Sequence, residues 1–303
     1  MKNQIVSEEN PRVSVVVPVH NGGQAISATV EHILNQSLTP HEIIVVDDGS
    51  TDDTSEVLKK FADRISALRK VNGGPASARN CGIRAATGDF VAFTDSDAFP
   101  DREWLSNLLK GFDGPRVAGV GGIVRGINSG LLPEYADTLR LYDPGRNGEG
   151  EISHLVTCNA CFRRDALLEA GLFDERFRKP GGEEPELCIR LRRLGYEFRV
   201  AEDAVVLHRH KTIRNLLRAT SNYGEGGFII GSIWPEYRWR GDARKGLAAT
   251  VLAMPLAFMK VSAYQSSHGF LKALAFSFLD QSRAVASTWG YLRGERKNRK
   301  STA

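Results

Sequence analysis

The sequence predicts an α/β fold: an open, mostly parallel sheet flanked by helices, with an apolar, basic helical extension at its C-terminal end. Two observations carry the sheet. Four short apolar runs, Val13–Val17, Ile43–Val46, Ile65–Val71 and Phe90–Phe93, alternate with three segments of helical periodicity. The connections between them are short, which calls for parallel pairing with right-handed crossovers. A third observation separates the extension. Residues 1–237 hold 28 Lys/Arg against 33 Asp/Glu, whereas residues 238–303 hold 12 against 3.

Val13-Ser-Val-Val-Val17 is β-branched and ends at Pro18, so it reads as the first strand. Ile26, Val30, Ile33 and Leu34 recur at helical spacing after it. The second strand runs into Asp47-Asp-Gly-Ser-Thr-Asp-Asp53, a polar turn rich in helix N-caps. Val57, Leu58 and Phe61 mark the next helix. Gly73-Gly-Pro-Ala-Ser-Ala-Arg-Asn80 opens a third, with Pro75 in its first turn. Phe90–Phe93 then delivers Asp95-Ser-Asp97. In such a sheet the loops after strands one, two and four open on one edge, where open α/β sheets bind ligands. His20, Asn21, Asp47, Asp48, Asp95 and Asp97 are expected to meet there. Two carboxylates at i and i+2 suit a hard cation that bridges phosphates. Asp-Ser-Asp is equally ordinary turn chemistry. No G-x-G-x-x-G follows the first strand and no G-x-x-x-x-G-K-[ST] occurs anywhere, which removes the dinucleotide fingerprint and the P-loop.

In the second half, Val117–Val124 reads as a Gly-rich strand and 126–152 as a long Gly/Pro/Asn loop, a substrate lid. Val156–Phe162 alternates like a strand. Leu167 and Leu168 sit in a short helix ended by Gly171. Leu187, Cys188, Leu191 and Leu194 stripe a helix stopped by Gly195. Pro185 suits that helix's first position, leaving Glu184 extended at its mouth. Val205–Leu207 is a last strand, with His208 and His210 at its end. The four cysteines, Cys81, Cys158, Cys161 and Cys188, read as reduced thiols, and the C-x-x-C pair lacks the second pair a zinc site needs.

Val13-Ser-Val-Val-Val-Pro-Val-His-Asn21, Val45-Val-Asp-Asp-Gly-Ser-Thr-Asp52, Ala78-Arg-Asn-Cys-Gly82 and Gly88-Asp-Phe-Val-Ala-Phe-Thr-Asp-Ser-Asp97 together resemble the family 2 glycosyltransferases of the GT-A fold. Thr157-Cys-Asn-Ala-Cys-Phe-Arg-Arg-Asp165, Gly171-Leu-Phe-Asp-Glu175 and Gly182-Glu-Glu-Pro-Glu-Leu-Cys-Ile-Arg-Leu191 extend the resemblance to roughly 12–210. It implies inverting transfer from a nucleotide-diphosphate sugar, UDP first among the nucleotides, with Mn2+ or Mg2+ held by Asp95 and Asp97. By the same resemblance Pro18, His20, Asn21, Asp47, Asp48 and Ser96 line the nucleotide, with Arg79 and Asn80 beside its base or ribose. His208 becomes a further metal ligand, ahead of His210; a surface or core histidine is the plain alternative for either. Glu184 takes the place of the general base, Glu-Glu standing where the family has Glu-Asp, and Glu183 and Asn159 shape the acceptor site. For the two glutamates the plain alternative is a pair favoured by the helix dipole. The Gln-x-x-Arg-Trp motif of processive synthases is missing, which points to the addition of a single sugar.

These features divide the chain into a GT-A domain over 1–237, with a nucleotide-sugar half at 12–125 and an acceptor half at 126–237, and an extension over 238–303. No charge occurs between Gly246 and Met259, yet no apolar run reaches the roughly 18 residues of a spanning helix. Apolar helices ending in Arg293, Arg296, Lys297, Arg299 and Lys300 suit the surface of an anionic inner membrane across 246–300. The alternative is a helical pair packed on the domain or forming a homodimer. Nucleic acid is disfavoured, since few aromatics interleave the basic tail. The first residues lack the apolar core of a signal peptide, which points to the cytoplasm and the membrane's cytoplasmic face. The acceptor is then a glycan or a lipid-linked sugar, in cell-surface polysaccharide or glycoconjugate synthesis. The rival readings are a sugar-nucleotide pyrophosphorylase and a non-catalytic nucleotide-sugar or glycan binder.

Overall fold

The structure, a computed structural model, describes residues 11–209, 212–238, 243–252 and 261–301. The first half follows the expected alternation. Strand β1 (Val13–Val19) leads to helix α1 (Gly23–Leu34), β2 (Glu42–Asp47), α2 (Thr54–Lys59), β3 (Ser66–Arg69), α3 (Pro75–Ala85) and β4 (Phe90–Thr94). The sheet runs β3-β2-β1-β4 in parallel. β1 does not stop at Pro18 but continues to Val19. Its ladder to β4 has already ended at Val16, so beyond that point it is an edge on that side and tolerates a residue without an N–H.

The next elements are β5 (Ala98–Pro100), α4 (Trp104–Lys110), β6 (Val117–Gly126), α5 (Leu131–Thr138), β7 (Gly145–Arg146), β8 (Ile152–His154), β9 (Asn159–Arg163), α6 (Arg164–Glu169), α7 (Glu183–Arg193) and β10 (Glu197–His208). β9 inserts antiparallel between β4 and β6. β10 pairs parallel with β6 and antiparallel with β5, which completes the eight-stranded order β3-β2-β1-β4-β9-β6-β10-β5. Alternation did not survive in β9: a strand covered on both faces is buried at consecutive positions, here Asn159, Ala160, Cys161 and Phe162. The segment 126–152 is not a bare loop, since it holds α5 and the β7–β8 hairpin. Helix α7 starts at Glu183, so Glu184 lies inside its first turn rather than extended before it. Pro185 is tolerated there because the first-turn N–H groups have no intrahelical partner.

Between Val200 and Val205, β10 bulges away from β6, whose Gly121 and Ile123 are separated by Gly122 alone. A side chain on Gly122 would run into the Ala204 carbonyl and the Asn159 amide. The apolar core lies on both faces of the sheet, with Val15, Val17, Ile26 and Trp104 on one and Val16, Phe93, Phe162 and Leu187 on the other.

The chain divides into two compact units, the first within Met1–Ser129, Ala136–Arg178 and Glu184–His210, the second within Gly130–Tyr135, Lys179–Glu183 and Lys211–Ala303. The second holds α8 (Ile213–Ile233), a 3-10 turn (Pro235–Tyr237), α9 (Ala243–Leu252), α10 (Ser262–His268) and α11 (Phe270–Ser301). The boundary expected at 237 falls inside this unit. Thr212 caps α8 by accepting from Asn215 N. α8 and α11 lie backbone to backbone where Gly224 faces Ser287 and Gly290 faces Ser221, positions at which a Cβ would meet a carbonyl. Glu225 takes Arg293 and Lys297 at 2.6 Å each. Among the described residues, no helix is long and apolar enough to cross a membrane.

Candidate active site

The carboxyl ends of β1, β2 and β4 form the expected edge. After β1 the chain turns through Asn21, which adopts φ 55°, a left-handed conformation that asparagine tolerates better than most residues. The Asn21 side-chain oxygen accepts from Thr51 N (2.8 Å), so its amide nitrogen faces His20 Nε2 at 3.3 Å. An imidazole that accepts at Nε2 carries its proton on Nδ1, where the Asp48 carbonyl lies 3.0 Å away to receive it. Asn72 donates to the same carbonyl at 2.9 Å.

The paired aspartates at the end of β2, Asp47 in the strand and Asp48 just past it, brace this edge. Asp48 accepts from Lys70 Nζ (2.8 Å), Gly73 N (2.9 Å) and Gly74 N (2.8 Å), tying β2 to the start of α3. Asp47 accepts from Ser50 N (2.8 Å) and Ser55 Oγ (3.0 Å) and pairs with Arg69 at 3.2 Å. Burial alone would push the Asp47 carboxyl up; the hydrogen bonds from Ser50 and Ser55 and the Arg69 charge outweigh it and hold the group below its ordinary value.

Asp95, Ser96 and Asp97 form a turn between β4 and β5, closed by Ala98 N donating to the Asp95 carbonyl at 3.2 Å. The Ser96 carbonyl is anchored by Thr29 Oγ1 at 3.0 Å. Turn and charge cluster, alternatives in the sequence, coexist. The β5–β10 register sets His208 opposite Ala98, next to Asp97, and His208 Nε2 lies 3.4 Å from Asp97 Oδ1. Arg79, buried on α3, points its Nη2 at Asp95 Oδ1 from 3.6 Å. The Asp95 side chain keeps 36% of its area open yet is ringed by protein atoms. That burial raises its carboxyl above the ordinary value, Arg79 and His208 pull it down, and the like charges of Asp97 and Glu184 push it up again. Three carboxylates therefore converge against one guanidinium and one imidazole.

Glu184 reaches this cluster from α7. It is 7% exposed, and its Oε1 accepts from Thr157 Oγ1 at 2.8 Å. Thr157, just before β9, is a site residue that sequence reasoning missed. Its partner lies 27 positions away, and no local pattern marks that contact.

Other expected residues are brought elsewhere. The side chain of Asn159 is buried between strands: Nδ2 donates to the carbonyls of Ile123 (2.9 Å) and Ala204 (2.8 Å), and Oδ1 accepts from Trp104 Nε1 (2.8 Å). Asn80 is likewise occupied, donating to Phe173 O (2.8 Å) and Glu175 Oε1 (2.9 Å) while accepting from Phe173 N (2.9 Å). Both amides are held by protein partners within the scaffold. Glu183 spends a carboxylate oxygen on Gly181 N at 2.7 Å. Pro18 lies half-buried in β1. His210 lies outside the described residues. Cys158 and Cys161 are buried free thiols, both pushed up by burial.

Carboxylate oxygens such as those of Asp95 and Asp97 are the donors that Mg2+ and Mn2+ favour, and the His208 imidazole beside them is a softer ligand. Among the described residues no three His, Cys, Asp or Glu side chains form a ready-made cage. A cation bound through one or two carboxylates and completed by phosphate oxygens needs no such cage.

The glycosyl transferase family 2 model matches residues 14–171. The pre-mycofactocin glycosyltransferase of Mycobacterium tuberculosis is 33% identical over 222 residues, 70% of this chain and 46% of that protein. Glycosyltransferase AglE of Haloferax volcanii is 27% identical over 71% of this chain and 73% of its own length. The chain thus spans about half the length of the first of these relatives. Among solved structures, the mannosyltransferase PcManGT of Pyrobaculum calidifontis, in complex with GDP-Man and Mn2+, superposes with a TM-score of 0.67 at 20% identity, over 94% of this chain and 88% of that one. Staphylococcus aureus TarS 1–349 in complex with UDP-GlcNAc gives 0.55 at 18%, over 96% and 92%. These likenesses show the GT-A fold.

Proposed function

The chain belongs to glycosyl transferase family 2, and on that footing we propose that it moves one sugar, with inversion, from a nucleotide-diphosphate sugar to a glycan or lipid-linked acceptor. The observation that carries this reading is the meeting of Asp95, Asp97, His208, Arg79 and Glu184 at one edge of the sheet. Asp97, Asp95 and His208 are the residues to hold Mn2+ or Mg2+ against the donor diphosphate; a cation there supplies Lewis-acid stabilisation of the leaving phosphate charge. Arg79 balances Asp95 and adds a positive charge beside the same phosphates. Glu184 takes the proton of the acceptor hydroxyl as that oxygen attacks the anomeric carbon. Thr157 fixes one carboxylate oxygen and leaves Oε2 for the proton. The neighbours' ligands, GDP-Man with Mn2+ and UDP-GlcNAc, support a nucleotide-sugar donor, with UDP our first choice. Work at the cytoplasmic face of the inner membrane, in cell-surface polysaccharide or glycoconjugate synthesis, completes the proposal. Membership of the family disfavours a pyrophosphorylase, and a carboxylate held as Glu184 is held gives no reason to prefer a non-catalytic binder.

The test is a thermal-shift screen of UDP-, GDP- and dTDP-sugars with Mn2+ or Mg2+, since a ligand bound only by the native state raises its melting temperature. One nucleotide sugar is expected to stabilise the protein in a cation-dependent manner, and Asp97→Ala to abolish that dependence. Cation-dependent stabilisation that persists in Asp97→Ala overturns the metal assignment.

A further inference from the structure

Helix α11 has one more apolar face than its fold requires. Its inner face is spent: Ala273, Phe276, Ser277, Leu279 and Thr288 are buried, and Gly290 packs on α8. On another line of the same helix, Leu271 is 79% exposed, Phe278 53% and Trp289 55%. Spacings of seven, eleven and seven residues along Leu271, Phe278, Trp289 and Arg296 keep all four within about 20° of one line on a helix of 3.6 residues per turn. The first three extend over ~27 Å at 1.5 Å per residue. Past Trp289 the line turns cationic. A recess of about 600 Å³ beside the indole is lined by Trp289, Leu292, Arg293, Glu295, Arg296 and Arg299. Phe270–Ser301 as a whole carries seven Lys/Arg against two Asp/Glu.

We infer that this face of α11 is an interfacial anchor that lies flat on an anionic lipid bilayer, inserting Leu271, Phe278 and Trp289 below the headgroups with Arg296 and Arg299 among the lipid phosphates. The inference deepens the membrane part of the proposed function and is independent of the chemistry at Asp97 and Glu184. Charge chooses the occupant. A row of large apolar side chains continued by guanidiniums complements a surface that is oily beneath and negative on top, and indole and guanidinium both favour that boundary. A second copy of the same face would set mostly cations against cations, and the acid it would bring, Glu295, is already paired with Arg299 at 2.8 Å. No helix among the described residues spans a membrane, so attachment through these elements is by a face rather than a span.

The experiment uses the full chain in flotation with vesicles of phosphatidylcholine alone and with about 30 mol % phosphatidylglycerol, a charged-leaflet mimic. The chain is expected to float with the anionic vesicles and to be released by salt. Bound fraction should fall at least about tenfold in Phe278→Ser/Trp289→Ser and in Arg296→Glu/Arg299→Glu. Brominated lipid should quench tryptophan emission in the parent chain and much less in Trp289→Phe. All these side chains are at the surface, and an unchanged melting temperature verifies that the variants fold. Failure of the parent chain to float, or variants that float as it does, overturns the inference. So does sedimentation showing a dimer that the apolar variants dissociate, without vesicle binding. None of these three results touches the transferase reading, which stands on the thermal-shift test.

Discussion

Replacing Asn159 by Ala is expected to destabilise the sheet rather than to alter ligand recognition. The amide is 1% exposed and satisfies three buried groups at once: the carbonyls of Ile123 and Ala204 and the indole N–H of Trp104, itself 0% exposed. A hydrogen bond of this kind contributes about 1 kcal/mol net, and each partner stranded without water costs roughly 1–3 kcal/mol. Three stranded partners, each at the lower end of that range, amount to a loss of roughly 3–5 kcal/mol, large for any single substitution. For a unit of this size that corresponds to a fall of roughly 10–15 °C in melting temperature. The assay is thermal and urea unfolding of Asn159→Ala beside the parent chain. Asn159→Asp should be at least as damaging, because an oxygen would then face two carbonyls. If Asn159→Ala melts like the parent and instead loses only acceptor turnover, Asn159 belongs to the acceptor site and its scaffold assignment is wrong.

Glu184→Gln is expected to lower sugar transfer by about 10²–10⁴-fold while donor binding, read by calorimetry, stays intact; loss of donor binding would remove Glu184 from the base role. Thr157→Val should cost about tenfold in kcat with donor KM unchanged, and Thr157→Ser should restore most of it, because the hydroxyl makes the shorter contact to Glu184 at 2.8 Å while the backbone N–H at 3.4 Å is kept in both variants. Equal losses in both variants would reduce Thr157 to packing. Asp47 supplies a pH test. Its carboxyl is held below the ordinary 3.8, so its stabilising contribution is present above that value and disappears as pH falls through the lowered one. Asp47→Asn should be less stable than the parent at pH 7, and the gap should close towards pH 2; a gap constant with pH would refute the linkage.

The N-terminal half was legible because its signals are local: β-branched runs set the strands, and turn residues mark where they end. Asp95, Asp97, His208 and Glu184 could be expected together on a family resemblance, and the structure does bring them together. What resisted reading was the use to which each polar side chain is put. Asn80, Asn159 and Asp48 carry motif identities that suggest ligands, and in the structure they also bind Phe173, Ala204 and Gly74, partners far off in the chain. Lys70 and Asn72 have no motif of their own, and they and Thr157, which opens one, acquire their part in the site only from what the fold sets beside them. The insertion of β9 between β4 and β6 was equally hidden, because a strand's own pattern, even where it marks the strand, does not say which neighbours it pairs with.

The bulge in β10 bears on how such a chain tolerates changes of length. Four residues, 201–204, occupy a stretch that faces only Gly122 on the neighbouring strand. A residue gained or lost within them can be taken up as slack, with Val205 still entering opposite Ile123. Downstream the strand has no such reserve. A single deletion between Val205 and His208 would rotate the imidazole to the opposite face of the sheet, away from Asp97. Natural insertions and engineered grafts in this strand should therefore collect before Val205 and be absent from the four residues that follow.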